Sequence, residues 1–236
     1  MNIVITGASK GFGKAIAAIF AADEQGHHIF LCARNKEELE QTARELTDRY
    51  PASTVHSKTC DVANRESLAA FASWVLASAD KVDILVNNAG IYLPGSASGE
   101  SDGMLEKMME VNVYSAYHLT RMILPGMLKA NTGGHIFNIC SIASLQAYPN
   151  GGAYSISKFA LYGFSKNLRE EMKPHGIKVT HVLPGAAYTD SWSGSGVDPK
   201  RIMEAADIAN MIYAAAQLSP QACVEEIVLR PQLGDL

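Results

Sequence analysis

Short apolar runs alternate with longer amphipathic segments along the whole chain. The apolar runs predict seven strands, at residues 3–6, 28–33, 54–60, 84–86, 135–140, 178–183 and 226–229. Several of these runs are almost continuously apolar, which is typical of parallel strands that helices cover on both faces. We therefore expect a buried parallel sheet.

The segments between these runs have helical periodicity. They include residues 14–24, 36–49, 65–79 and 155–173. Alternation of strands with crossover helices predicts an α/β fold, in which a doubly wound, seven-stranded parallel sheet carries helices on both faces. The chain shows neither an internal repeat nor a dividing linker, so we expect one Rossmann domain over residues 1–236.

Two stretches rich in Gly, Ser or Pro interrupt the alternation, at residues 91–103 and 184–199. Each follows a predicted strand, and open α/β sheets bind their ligands at the carboxyl ends of strands. The second stretch carries Tyr188 and Trp192, which we expect to lie in a lid over a substrate. An ordinary surface loop is the alternative.

A glycine turn connects the first predicted strand to the first helix. Gly7, Gly11 and Gly13 are spaced G-x-x-x-G-x-G, which differs from the G-x-G-x-x-G dinucleotide fingerprint. Glycines at such a turn let a pyrophosphate approach the amino terminus of the helix closely. The position of the turn between a strand and a helix predicts a nucleotide site.

The end of the second predicted strand bears on the choice between NAD and NADP. A carboxylate there would accept hydrogen bonds from the free ribose 2′-hydroxyl of NAD. The chain has Ala33 and Arg34 in this region, and Lys10 lies in the glycine turn. Two cations suit a 2′-phosphate, so these residues favour NADP(H). Solvated surface cations are the alternative.

Tyr154 and Lys158 are four residues apart, which places them on one face of a helix. An ammonium group beside a phenol favours the phenolate, so we expect a lowered pKa for Tyr154 and proton exchange near neutral pH. Ser141 lies thirteen residues before Tyr154, and Ser144 is its rival. The pattern indicates a redox enzyme whose proton donor is a tyrosine.

With these motifs in this order, the chain resembles the short-chain dehydrogenases/reductases, in their compact single-domain branch. Two segments in the last quarter of the chain, PGAAYTDSW (184–192) and VEEIVLRPQLGDL (224–236), are similar to those of bacterial sepiapterin reductase-type members. The motifs that carry the resemblance are TGASKGFG (6–13), DV (61–62), NNAG (87–90), Asn112, Ser141, YSISK (154–158) and PGAAYT (184–189).

The resemblance implies a role for each matched residue. Asn112 would hold a helix irregularity, Ser141 would bond the substrate carbonyl, Tyr154 would donate the proton and Lys158 would bind the nicotinamide ribose. NADP(H) would contact the glycine turn and several later segments, namely Gly7, Ser9, Lys10, Gly11, Phe12, Gly13, Arg34, Asp61, Val62, Asn87, Ala89, Gly90, Tyr154, Lys158, Pro184, Gly185 and Thr189. The substrate would contact Ser141, Tyr154, Tyr188, Trp192 and Asp235.

The implied activity is reversible hydride transfer between NADP(H) and a small carbonyl or alcohol, with Tyr154 as general acid and base. A pterin carbonyl like that of sepiapterin is favoured, because Asp235 could anchor the amino group of the pterin. A frayed terminus is the alternative for Asp235. A 3-oxoacyl, hydroxy-acid or diketone reductase and a non-catalytic NADP(H)-binding sensor remain as alternative functions.

Charge and hydropathy exclude some settings. The net charge is −4 without a long basic block, which gives nucleic-acid binding no support. No apolar run approaches the ~18 residues of a membrane span. The chain begins with a strand rather than a signal-peptide pattern, so we expect a cytoplasmic protein. The resemblance implies a homodimer or homotetramer.

Cysteine and histidine spacing does not indicate a metal site. The four cysteines are widely spaced in or beside predicted strands, and we interpret them as buried apolar thiols. The seven histidines show no paired ligand spacing, so we expect no metal.

Overall fold

The computed structural model describes residues 1–189 and 196–235. Its main sheet contains seven parallel strands: β1 (Asn2–Thr6), β2 (His28–Ala33), β3 (Thr54–Thr59), β4 (Ile84–Asn87), β5 (Gly134–Ile139), β6 (Ile177–Pro184) and β9 (Glu226–Leu229). Two short strands, β7 (Ala187–Tyr188) and β8 (Met203–Glu204), pair with each other outside this sheet.

The strand order in the main sheet is β3-β2-β1-β4-β5-β6-β9. The direction of winding reverses between β1 and β4, which are adjacent at the centre. In an open α/β sheet this reversal leaves a crevice at the carboxyl ends of the strands, and ligands bind there. The order therefore determines where a site can form.

Seven α-helices cover the sheet: α1 (Gly11–Ala22), α2 (Lys36–Arg49), α3 (Arg65–Ser78), α4 (Met104–Met109), α5 (Ser115–Ala130), α6 (Gly152–Met172) and α7 (Ala205–Ala216). They belong to the described part of the chain. A π-helical segment, Glu110–Tyr114, joins α4 to α5. A π-helical segment inside a helix frequently marks a functional site.

Alternate residues of the central strands enter opposite cores. Ile3 and Ile5 of β1 pack with Phe20 of α1 and with α7, whereas Val4 packs with Phe71 of α3 and with α5. Side chains alternate between the faces of a strand, so a strand that is apolar at every position is buried on both sides. The parallel sheet with helices on both faces confirms the predicted fold class.

The helices differ from their predicted bounds at the end nearest the site. α1 begins at Gly11, inside the glycine turn, and α6 begins at Gly152 rather than at residue 155. Both extensions bring a helix amino terminus towards the carboxyl ends of the strands. The start of α6 is joined to the loop 91–103, because Ala153 N donates to Glu100 Oε2 at 3.2 Å.

Cys32, Cys60 and Cys140 are buried free thiols, and Cys223 is half-buried. Among residues 1–189 and 196–235, no helix is long and apolar enough to cross a membrane. The same residues contain no cluster of three or more His, Cys, Asp or Glu side chains that could hold a metal ion.

Candidate active site

A cavity of about 920 Å³ lies at the carboxyl ends of the central strands. Most residues of the predicted site line this cavity: Gly7, Ser9, Lys10, Gly11, Phe12, Arg34, Asp61, Val62, Ala89, Gly90, Ser141, Tyr154, Lys158, Pro184, Gly185, Thr189 and Asp235. The fold thus brings together motifs that are far apart in sequence.

Close backbone contacts explain two of the glycines. Gly7 has φ +64°, and a Cβ there would lie 2.9 Å from the Cα of Ala89. A Cβ at Gly13 would lie 2.4 Å from the carbonyl oxygen of Gly7, so Gly13 supports the turn from behind the cavity wall. Asn88, which sequence reasoning missed, binds the turn by donating to the carbonyls of Thr6 and Gly7 at 2.8 and 3.0 Å.

The end of the cavity beside β2, β3 and α2 carries both positively and negatively charged side chains. Arg34 is exposed on its wall beside Asp61, which follows β3. Glu38 of α2 also lines this end, and Ser9 Oγ donates to its Oε2 at 3.4 Å. Sequence reasoning considered only the residues at the end of β2 and missed this acid, which is brought back by the first turn of α2.

Asn112 lies inside the π-helical segment and behind the cavity wall. Its Oδ1 accepts from Ile91 N at 2.7 Å, and its Nδ2 donates to Ile91 O at 3.0 Å and to Ser157 Oγ at 2.9 Å. The side chain joins the loop after β4 to α6. The wider turn of a π-helix is the irregularity expected at this residue.

Asn87, like Asn112, does not line the cavity. It is the last residue of β4 and is 4% exposed, with its Nδ2 directed to Thr120 and Asn138 at 3.0 and 2.8 Å. It connects β4 to α5 and β5 rather than forming a wall against a ligand.

Ser141 and Ser144 have different surroundings. Ser141 lies on the cavity wall, where its Oγ accepts from Ala143 N at 3.1 Å. Since a hydroxyl has one hydrogen, that of Ser141 is directed into the cavity, towards Tyr154. Ser144 is 1% exposed and donates to the carbonyl of Lys158 at 2.9 Å, which assigns it to the packing of α6. The geometry favours Ser141 over its rival.

Tyr154 is half-buried on the cavity wall, and the edge of the Tyr92 ring contacts it at a centroid distance of 4.9 Å. Burial raises the pKa of Tyr154, and a hydrogen bond with Ser141 acts against this rise. The expected lowering of the pKa by Lys158 is therefore wrong in direction. Lys158 Nζ lies 5.8 Å from the centroid of the ring and is directed elsewhere.

Lys158 is 5% exposed, and its Nζ donates to the carbonyl of Ile139 at 2.8 Å. In the described part of the chain no carboxylate lies within ion-pair distance of this ammonium. Burial lowers the pKa of Lys158 to about 8. A Cβ at Gly90 would lie 3.6 Å from the Nζ, so the glycine leaves room for the lysine.

Tyr162 and Lys166 lie further along α6 and have the same four-residue spacing as Tyr154 and Lys158. Lys166 Nζ donates to Tyr162 OH at 3.0 Å, and both side chains bind Glu226. This cluster is at the surface, away from the cavity. Spacing alone therefore does not distinguish the two pairs, whereas their surroundings do.

The opposite end of the cavity is formed by Tyr148 and Asp235. Tyr148 OH donates to Asp235 Oδ2 at 2.9 Å, and Arg230 forms an ion pair with the same oxygen. Asp235 Oδ1 is buried and has no hydrogen-bond partner. A Cβ at Gly185 would lie 3.3 Å from Oδ1. This acceptor is therefore directed towards the end of β6.

The two aromatic residues expected in a lid have different outcomes. Tyr188 is 43% exposed and does not line the cavity, because its neighbour Ala187 occupies the inward position of the short strand β7. Trp192 lies outside the described residues.

Comparison with known proteins shows the family to which the chain belongs. A model of the short chain dehydrogenase family matches residues 1–198. The chain is 36% identical to dehydrogenase/reductase SDR family member 7B of Bos taurus, over 80% of this chain and 58% of that relative, so it spans less than two thirds of its length. It is 30% identical to a sepiapterin reductase of Chlorobaculum tepidum, over 99% of this chain and 97% of the relative.

Proteins of known structure are similar to this protein over nearly all of its chain. A metagenomic short-chain oxidoreductase in complex with NADP has a TM-score of 0.84 and 32% identity, with 98% of this chain and 97% of that chain covered.

The lowered pKa of Lys158 predicts a pH-dependent stability. The unfolded chain holds the lysine proton up to a pKa near 10.5, whereas the folded protein releases it near 8, so between these values the unfolded state binds more protons. The free energy of unfolding of the wild type, relative to Lys158→Met, should rise by about 3 kcal/mol across this window. Urea unfolding at several pH values measures it.

Lys166→Met is the control for this experiment. Hydrogen bonds to Tyr162 and Glu226 raise the pKa of Lys166, so its contribution has the opposite sign. A difference between wild type and Lys158→Met that does not change with pH would contradict a buried, proton-releasing lysine.

Proposed function

The chain belongs to the short-chain dehydrogenase/reductase family, and from this premise we propose that it is an NADP(H)-dependent oxidoreductase acting on a small carbonyl or alcohol. Residues 1–236 would form a single catalytic domain, and the protein would assemble as a homodimer or homotetramer. The observation that carries the proposal is the convergence of Ser141, Tyr154 and Lys158 on one cavity that begins at the glycine turn.

The cavity fits a dinucleotide. The glycine turn lines the cavity, and the amino terminus of α1 faces the same space, where a pyrophosphate would be bound. Asp61 and Val62 would line the adenine, and Lys158 would bind the nicotinamide ribose. When bound, NADP(H) would supply or accept the hydride.

The residues around the reacting oxygen have complementary roles. In the direction of reduction, negative charge develops on the carbonyl oxygen, and Ser141 and Tyr154 would stabilise it by donating hydrogen bonds. Tyr154 would then give its proton to the oxygen. Because burial raises the pKa of Tyr154, the phenol is held in its protonated form, which suits a proton donor. The ammonium of Lys158 would then balance the negative charge on the phenolate of Tyr154.

Tyr154→Phe tests the proton donor, because it removes only the hydroxyl. We expect the rate of NADPH oxidation with a substrate of the wild type to fall by about 100-fold or more. Tyr162→Phe is the matched control, since this tyrosine also has a lysine four residues later, and it should retain activity.

Equal activity of wild type and Tyr154→Phe would rule out Tyr154 as the acid. If the wild type binds NADPH and reduces none of a panel of pterin, diketone, 3-oxoacyl and hydroxy-acid-derived carbonyls, the result favours the non-catalytic sensor and calls for a wider panel of carbonyls.

The preference for NADP rests on Arg34 and Lys10 at the far end of the cavity, with Glu38 opposing them. Arg34→Ala removes one charge-assisted hydrogen bond to a 2′-phosphate, which should weaken NADPH binding by about tenfold or more and leave NADH binding unchanged. Fluorescence titration with each cofactor measures this.

Arg44→Ala is the control for Arg34, because Arg44 is an exposed arginine of α2 that does not line the cavity. An equal loss of NADPH and NADH affinity in Arg34→Ala would contradict recognition of the 2′-phosphate.

Among substrates, we favour a pterin carbonyl like that of sepiapterin. Asp235 Oδ1 is the supporting observation: it is a buried acceptor without a partner, and an aminopyrimidine edge presents two donors to a carboxylate. The similarity to a sepiapterin reductase points in the same direction.

Asp235→Asn removes the charge and keeps the shape. We expect the kcat/KM for sepiapterin to fall by about tenfold, since a charge-assisted bond becomes a neutral one or is lost, while a small diketone without an amino group is reduced as before. Equal losses for both substrates would mean that Asp235 acts on the structure of the site. No loss for either would exclude it as an anchor.

A further inference from the structure

A chain of buried hydrogen bonds crosses the protein directly beneath the site. Asn87 Nδ2 donates to Asn138 Oδ1 at 2.8 Å, and Asn138 Nδ2 donates to Ser165 Oγ at 2.8 Å. Ser165 Oγ in turn lies 2.5 Å from His181 Nδ1. All four side chains are at most 4% exposed.

The positions of the donors determine the direction of the hydrogen bonds in this network. Ser165 Oγ accepts from Asn138, so its hydrogen is free to be donated to His181 Nδ1. His181 is then an acceptor at Nδ1 and a neutral imidazole. Burial lowers the pKa of His181 to about 4, which keeps the imidazole neutral at ordinary pH.

Each residue of this hydrogen-bond network belongs to a strand or helix that also leads to residues of the site. Asn138 on β5 is three residues before Ser141, and His181 on β6 is three residues before Pro184. Ser165 is seven residues after Lys158, which is two turns of α6 along the same face. The hydrogen-bond network therefore connects β4, β5, β6 and α6.

Apolar packing of a helix on a sheet has no direction, and it permits small shifts along the helix axis. Two polar contacts at different heights prevent such shifts. α6 has one at Lys158, which binds the carbonyl of Ile139, and one at Ser165, which binds Asn138 about 10 Å further along the axis. Asn87 Oδ1 has no hydrogen-bond partner, whereas the contacts from Asn138 to His181 are all made, and buried directional contacts of this kind favour a single arrangement.

We propose that Ser165 and His181 are positioning residues that fix the axial register of α6 on β5 and β6, and thereby the distance of Tyr154 from Ser141. The role in catalysis rests on the proposed function; the role in fixing α6 does not. Neither residue lines the cavity, so both act through the helix and the strands.

The protein contains a matched pair for comparison. His135 Nε2 lies 2.7 Å from Thr180 Oγ1, and both residues are at most 4% exposed. Thr180 precedes His181 on β6, so its side chain is on the opposite face of the sheet from α6. Thr180→Val and Ser165→Ala each remove one buried hydroxyl that is bonded to an imidazole, and only Ser165 belongs to α6.

The test compares these two variants with the wild type. Both should lower the melting temperature. Only Ser165→Ala should reduce kcat, by about tenfold or more, with a larger solvent deuterium isotope effect, because the proton donor is misplaced. Only Ser165→Ala should speed amide hydrogen exchange in residues 152–158. The exchange measurement needs no substrate, so it decides the role in fixing α6 even if the wild type reduces no carbonyl.

A second pair of variants covers the case in which Ser165→Ala does not fold. His181→Asn places an amide oxygen where Nδ1 accepts and should retain kcat, whereas His181→Leu removes the acceptor and should lower it. Wild-type kcat and exchange in Ser165→Ala, with a melting temperature like that of Thr180→Val, would overturn the proposal. Equal kcat in the two His181 variants would overturn it as well.

Discussion

The buried ammonium of Lys158 is the constraint on which the site depends. A charge in the interior costs several kcal/mol unless hydrogen bonds replace its water. Here the carbonyl of Ile139 accepts one bond, and the absence of a side chain at Gly90 leaves space beside the nitrogen. These partners lie at the carboxyl ends of β4 and β5. The lysine thus lies where α6 meets the centre of the sheet, which is also where Tyr154 and Ser141 line the cavity.

Two kinds of interaction divide the work of building this site. The apolar faces of the strands and helices determine the layers, and strand order determines where the crevice opens. Buried polar side chains then determine how the layers are aligned: Asn112 joins the loop after β4 to α6, and Ser144 joins the turn after β5 to the same helix. Such contacts are specific in direction, whereas apolar contacts are not. This explains why so many polar residues lie in the interior close to the cavity.

The sheet and the bounds of α2 could be predicted from the sequence, because periodicity reports burial directly. Details that depend on contacts between distant segments could not. The spacing of Tyr154 and Lys158 recurs at Tyr162 and Lys166, and only their surroundings separate the pairs. Adjacent residues in a strand face opposite ways, and in the unpredicted strand β7 Ala187 is directed inward and Tyr188 outward. The expected direction of the Tyr154 pKa was wrong because burial, which the spacing of Tyr154 and Lys158 does not report, raises this pKa.

The most direct test of the central claim is a crystal structure of the protein with NADP⁺ bound. We expect the nicotinamide ribose between Tyr154 and Lys158, with the phenol and the ammonium both within about 3.2 Å of ribose hydroxyls. The 2′-phosphate should lie beside Arg34, at the other end of the cavity. A ribose bound away from Lys158, or a dinucleotide bound in the reverse orientation, would contradict the assignment of the active site.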